Sequence, residues 1–157
     1  MPDCCSSKPD LTCAVPQDRG ESCPACGKKG KAVATLTVKS LVRDHTRVPA
    51  QAAFSYCRST NCDVVYFSSE AIFRKPDIKV RVAIKENEDG APLCYCFDYT
   101  RQDVLREIQA TGSTRIAEAV KAEVQGGFCA CEVKNPSGSC CLGDITRVIQ
   151  QAKRVTA

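Results

Sequence analysis

The chain has 157 residues with 13 cysteines, a single histidine, no tryptophan and a net charge of +4. That length suits one ordinary domain, or two small ones that need metal to stay folded. The lone His45 excludes chemistry that needs two histidines. Apart from Lys28, Lys29 and Lys31 the basic residues alternate with acids, which leaves no concentrated stripe for nucleic acid.

At about 8% cysteine, sulfur chemistry dictates the architecture. Met1-Pro2-Asp3-Cys4-Cys5 opens without a basic segment or an apolar run, so no signal peptide is expected. No apolar stretch approaches the ~20 residues needed to span a bilayer. A cytoplasmic chain is expected, and its reduced thiols favour metal binding over a disulfide framework.

Residues 1–20 hold Cys4, Cys5 and Cys13 among prolines, serines and a glycine, a composition that cannot bury a core, and are expected to form a flexible tail. The adjacent Cys4 and Cys5 suit a soft ion such as Cu(I) or Hg(II) as cargo, or are incidental thiols.

Cys23-Pro24-Ala25-Cys26-Gly27 is a zinc knuckle, a turn that aims two sulfurs at one point. Its counterpart is Cys57 and Cys62, separated by four residues. Two such pairs predict a structural Cys4 zinc site on Cys23, Cys26, Cys57 and Cys62. A thioredoxin-type redox pair would need a helix to follow in a βαβ setting. The residues after Cys26 instead read as strands, at Ala32 to Val38, Ala52 to Tyr56, Asp63 to Phe67 and Ile78 to Ile84. In the last, Ile78, Val80, Val82 and Ile84 alternate with Lys79, Arg81 and Lys85. His45, in a polar stretch, is expected at the surface. Residues 21–88 thus make a small zinc-stapled β domain.

The polar run from Glu86 to Pro92 joins this to a helical part, residues 91–157. Thr100 and Asp103 form a capping box, followed by Val104, Leu105 and Ile108 at helical spacing, with Gly112 as the stop. A second helix starts at Ser113 or Thr114 and ends at Gly126-Gly127. A third runs from Cys141 or Leu142 to about Arg154, burying Ile145, Val148 and Ile149.

Six cysteines bracket these helices: Cys94, Cys96, Cys129, Cys131, Cys140 and Cys141. The spacing fits neither a zinc ribbon nor the common ferredoxin patterns. A [2Fe–2S] cluster suits it, because both groups lie at or before helix starts, where free N–H groups favour anionic thiolates. Asn135-Pro136-Ser137-Gly138 is a turn that folds Cys131 back toward Cys140-Cys141. If the 129–131 segment is extended, only one of Cys129 and Cys131 faces the cluster, and only one of Cys140 and Cys141 need ligate. The expected ligands are Cys94, Cys96, Cys131 and Cys141, with a second zinc in the same pocket as the competing occupant.

Cys94-Tyr95-Cys96 together with Asn135-Pro136-Ser137-Gly138-Ser139-Cys140-Cys141 resembles the N-terminal half of copper chaperones of the archaeal CopZ type. Cys23 to Cys26, and Cys57 to Cys62 followed by Asp63-Val64-Val65-Tyr66-Phe67, extend the likeness over roughly residues 21–150. The resemblance implies a mononuclear zinc site, then a helical domain like that of bacterioferritin-associated ferredoxin with one [2Fe–2S] cluster. It also implies help in copper handling, through reduction of Cu(II) to Cu(I). Full-length proteins of that kind continue into a copper-carrying domain with a Met-x-Cys-x-x-Cys loop, a motif that does not occur in these 157 residues. Cys4-Cys5 or a separate protein is then expected to carry the metal.

The expected class is α+β. The expected function is a metallochaperone-type accessory in copper or other soft-metal homeostasis, partnered by a metal transporter or a copper-carrying domain and by a redox protein. The alternatives are a one-electron carrier without copper and a Cu(II)/Hg(II) reductase. A hydrolase is not expected, since four thiolates close the zinc shell.

Overall fold

The computed structural model describes residues 21–86 and 90–156, so the expectations for Cys4, Cys5 and Cys13 lie outside the described residues. The first half is an antiparallel sheet of four short strands in the order β1 (Lys31–Val33), β2 (Phe54–Tyr56), β3 (Val64–Phe67) and β4 (Ile72–Arg74). Lys31 to Val33 pair with Tyr56 to Phe54, and Ser55 and Tyr56 with Phe67 and Tyr66. β3 is buried throughout, Val64 to Phe67. It is covered on both faces, which explains why its sequence is continuously apolar rather than alternating.

The expected strand from Ala32 to Val38 is wrong beyond Val33. Thr35–Leu41 is a helix, α1, that buries Thr37, Val38 and Leu41. Its β-branched residues favour extended backbone locally. The burial of one helical face against the sheet, with Val42 also fully buried, overrides that preference.

Ile78 to Ile84 is not a ladder strand either. It makes one bridge, Val42 with Ile78, and the Lys79 amide donates to the Leu41 carbonyl before residues 83–85 tighten into a 3₁₀ turn. Its alternation is nevertheless real: Ile78 and Val82 lie in the core, with Val80 and Ile84 packed against it. Among the described residues it has no ladder partner beyond that bridge, and it runs extended beside α1. Lys85, expected on the polar face, is turned inward and buried. β4 is a further strand, only three residues long and too short to show a pattern in the sequence. His45 is exposed.

The second half opens with a hairpin of β5 (Pro92–Cys94) and β6 (Tyr99–Thr100). Four helices follow: α2 (Arg101–Thr111), α3 (Ile116–Gln125), the single-turn α4 (Cys131–Lys134) and α5 (Leu142–Thr156). The Thr100–Asp103 capping box is formed in both directions, and Gly112 closes α2 with a left-handed φ of 78°. Val104, Ile108, Ile116, Val120, Ile145 and Val148 meet in one core, on which Cys94 and Cys141 also sit.

The halves are fastened to each other. α4 packs on α1. The buried Tyr66 hydroxyl donates to the Pro136 carbonyl at 2.6 Å. The Lys31 ammonium donates to the Ser137 carbonyl at 3.2 Å and to the Ser139 hydroxyl. The Tyr95 hydroxyl donates to the Arg81 carbonyl at 2.6 Å and accepts from the Ala83 amide at 3.1 Å.

Candidate metal centres

The Sγ atoms of Cys23, Cys26, Cys57 and Cys62 all lie within 4.8 Å of one another. Cys23 and Cys62 are 3.9 Å apart, and Cys26 and Cys57 are 3.8 Å apart. A tetrahedron with metal–sulfur bonds of about 2.3 Å has edges of about 3.8 Å, so four thiolates here fit one Zn²⁺. Three of the four are buried, and Val64 and Phe67 pack around them.

Short turns aim the sulfurs. The Gly27 amide donates to the Cys23 carbonyl at 2.8 Å, and Gly27 takes φ 71°, a conformation costly for residues with a Cβ. Cys26, Cys57 and Cys62 each accept an amide hydrogen from the residue two positions on: Lys28, Ser59 and Val64. That contact holds the Cys26 thiol down to about 6. Burial pushes Cys57 up to about 12 and raises Cys62 as well. The buried thiols are therefore costly to ionise without a cation between them.

Lys85 supplies a positive charge from behind. Its ammonium donates to the carbonyls of Ser59 at 2.8 Å and Cys62 at 3.0 Å. Nothing in the sequence pattern marks it, because it ends an alternating run whose other cations face solvent.

The second group has a different shape. Cys96 and Cys131 are 3.5 Å apart at sulfur. The Cys141 thiol acts electrostatically on those of Cys131 and Cys94. Unlike the first group, the four expected ligands do not all lie within 4.8 Å of one another, so the set is elongated. The compact thiol group here is Cys96, Cys129 and Cys131. An elongated set of four thiolates suits two bridged irons, two thiolates to each, better than a single tetrahedral ion.

Cys94 and Cys141 are fully buried, whereas Cys96 is half-buried. Cys141 lies just before α5, its carbonyl accepting from the Ile145 amide at 3.0 Å, and Cys131 is the first residue of α4. The Ala130 amide donates to the Cys96 sulfur at 3.3 Å. The Cys141 thiol, with the amides of Phe97 and Cys96, holds Cys94 down to about 7. The thiols of Cys141, Cys129 and Cys96 and the Cys141 amide hold Cys131 down to about 5. Donors aimed at sulfur are what an anionic cluster requires.

The 135–138 turn forms as expected, with the Gly138 amide donating to the Asn135 carbonyl at 2.8 Å. It also rests on the first half. Gly138 has φ 66°, and a Cβ there would stand 3.2 Å from the Val33 and Thr37 side chains. One expectation fails: Cys129 and Cys131 do not point alternately. The segment is not extended, because Cys131 starts α4, and the two sulfurs are 3.2 Å apart. The repeated Cys-x-Cys spacing, shared with Cys94 and Cys96, was the available signal.

Residues 20–79 match the CopZ-type family described as a zinc binding domain. The copper chaperone CopZ of Archaeoglobus fulgidus is 35% identical over 126 residues, which span 80% of this chain and 60% of that protein. The X-ray structure of the A. fulgidus CopZ N-terminal domain superposes with a TM-score of 0.67 at 34% identity, covering 81% of this chain and 96% of that one. The chain belongs to the family of the CopZ N-terminal domain, with its zinc binding domain at residues 20–79.

Proposed function

We propose that this chain is a metallochaperone-type accessory in copper homeostasis, with one structural zinc and one [2Fe–2S] cluster. Cys23, Cys26, Cys57 and Cys62 hold the zinc. Cys94, Cys96, Cys131 and Cys141 hold the cluster. The observation that carries this is the contrast in shape between the two thiol groups: one fits a single tetrahedral ion, and the other is a more open set of four with Cys96 half-exposed. The similarity to CopZ, named as a copper chaperone, supplies the context of copper.

The cluster, when bound, supplies a one-electron couple. The residues around it set the direction of access: Cys94 and Cys141 face the helical core, and Cys96 faces outward. A Cu(II) ion or a redox partner therefore approaches from the Cys96 side, and the resulting Cu(I) passes to a copper-carrying domain or transporter in the cytoplasm. Cys4 and Cys5 are the soft-metal ligands proposed within this chain.

Anaerobically purified protein is expected to contain one zinc, two irons and two acid-labile sulfides per chain, with the visible and EPR spectra of a [2Fe–2S] centre. Mixing the dithionite-reduced protein with Cu(II) should reoxidise it and leave Cu(I) on the protein. A cluster that stays reduced excludes the reductase step and leaves a plain electron carrier. Absence of tight Cu(I) binding removes the chaperone role.

A further inference from the structure

The half-exposed end of the second thiol group holds more sulfur than four ligand positions use. Cys129 Sγ lies 3.2 Å from Cys131 Sγ and is placed to donate to it, while Cys131 Sγ lies 3.5 Å from Cys96 Sγ. All three sulfurs are within 4.8 Å of one another. Each iron of a [2Fe–2S] cluster takes two protein thiolates. Were the fully buried Cys94 and Cys141 to hold one iron, two positions would remain at the outer end, where three thiols stand.

We infer that Cys129 is an exchangeable ligand at that outer iron, able to take the place of Cys131 without loss of the cluster. The inference rests on the proposed [2Fe–2S] reading of this pocket. The exchange is redox-neutral. One iron–sulfur bond to Cys131 breaks and one to Cys129 forms, and the Cys129 proton passes across the 3.2 Å contact to the departing Cys131 sulfur. Net charge and electron count are unchanged. The motion is small, because the two sulfurs already touch and Cys129 lies in the link between α3 and α4 rather than inside either helix. Cys129 and Cys96 are both half-buried, so the outer iron is the one that can change ligands while Cys94 and Cys141 stay in place.

Alanine separates this from a merely structural thiol, since it offers no ligand atom, whereas serine could itself bind iron. The full-length chain is compared as wild type, C129A, C131A and C129A/C131A, all purified anaerobically. Iron, acid-labile sulfide and zinc are measured per chain, with visible circular dichroism and EPR after reduction. C129A is expected to keep iron and sulfide at the wild-type ratio, with its spectra changed only by loss of the Cys129 donor to the Cys131 sulfur. C131A is expected to keep the cluster with shifted dichroism and EPR features, because a different sulfur now binds. The double variant is expected to lose iron and sulfide altogether while retaining zinc and the helical far-ultraviolet dichroism of α2 to α5, which reports that the second half stays folded. C131A as empty as the double variant, with that helical signal retained, overturns the exchange. C131A that keeps a cluster still present in C129A/C131A also overturns it, since some other group is then the substitute. Should C131A fail to fold, C131S and C129A/C131S serve in its place: spectra that differ between the two support Cys129 as the substitute, and identical spectra overturn it. Wild-type protein without iron and sulfide refutes the [2Fe–2S] reading itself, a result distinct from any of these.

Discussion

The two sulfur pockets solve the same problem by different means. In the first, each pair of cysteines is set by a tight local turn, and amide hydrogens two residues on point back at three of the four sulfurs. In the second, the sulfurs come from a hairpin, a single-turn helix and the start of α5. The loop between the last two is held by residues of the other half: Tyr66 on Pro136 and Lys31 on Ser137 and Ser139. A site built from local turns is self-contained. One built on long-range contacts inherits the stability of whatever it leans on. Loss of the first metal should therefore damage both pockets, and loss of the second should leave the first intact.

The largest expected effect tests that asymmetry directly. Cys57→Ser should abolish zinc binding and, with it, on the order of 10 kcal/mol of apparent metal-binding free energy that small zinc domains use to fold. Zinc per chain should fall to zero, the cooperative melt should disappear, and iron and sulfide should be lost too. Cys94→Ala should lose iron and sulfide while zinc stays at one per chain. Zinc retained in Cys57→Ser, or lost in Cys94→Ala, breaks the comparison.

Next comes the cation behind the first pocket. Lys85→Met leaves the buried carbonyls of Ser59 and Cys62 without their donor and removes positive charge beside the thiolates. A charge-assisted hydrogen bond contributes roughly 1.5–3 kcal/mol. Outer-shell partners of a metal ligand typically change its affinity by about 10–100-fold. Chelator competition should show zinc released at correspondingly lower chelator concentration, with the spectrum of the second pocket less affected. A smaller change is expected at the seam between the halves. Tyr66→Phe removes one buried hydrogen bond, worth about 1 kcal/mol, and leaves the Pro136 carbonyl unpaired. Iron should be lost faster to a chelator, and zinc at the wild-type rate. Equal acceleration of both would mean that the seam supports the whole molecule rather than the loop.

Legibility differed in the same way between the pockets. The first four cysteines were readable because paired spacing and turn geometry are local, and the structure gathers those four sulfurs. In the second half, Thr100, Asp103, Gly112 and Gly126 delimited the helices, since caps and stops are also local. What the sequence hid was decided at long range. Thr35-Leu36-Thr37-Val38 carries strand-forming residues, yet one face is buried as a helix against a sheet whose partners lie about twenty residues on. Ile78 to Ile84 alternates as a strand should, but alternation records only which face is buried, not whether a neighbour supplies hydrogen bonds. Lys85 looked like one more surface cation because burial of a charge depends on carbonyls more than twenty residues away. Cys129 was set aside on the assumption of an extended segment, which the one-turn helix at Cys131 undoes.

The smallest effect concerns the helix that follows the cluster hairpin. The Asp103 carboxylate accepts from the Thr100 amide and hydroxyl, both at 2.8 Å, while the Thr100 hydroxyl accepts from the Asp103 amide at 3.2 Å. The Thr100 amide, then its hydroxyl, hold the Asp103 carboxyl below its ordinary value, with Arg106 adding to the effect. A depressed folded-state pKa stabilises the native state at pH values above the unfolded pKa, and that stabilisation is lost as pH falls through the folded one. Asp103→Ala should cost about 1 kcal/mol at neutral pH, in the range of a lost helix cap. The gap in melting temperature between wild type and Asp103→Ala should hold down to about pH 4 and narrow below it. Other carboxylates and the thiolate ligands titrate in both proteins, so their contributions cancel in the difference. Because α2 packs on α5, and α5 begins just after Cys141, the same variant should loosen the second pocket slightly and the first not at all. A gap that stays constant through pH 3 would mean the carboxylate acts by shape alone, and the link from cap to cluster pocket would then have to run through packing rather than charge.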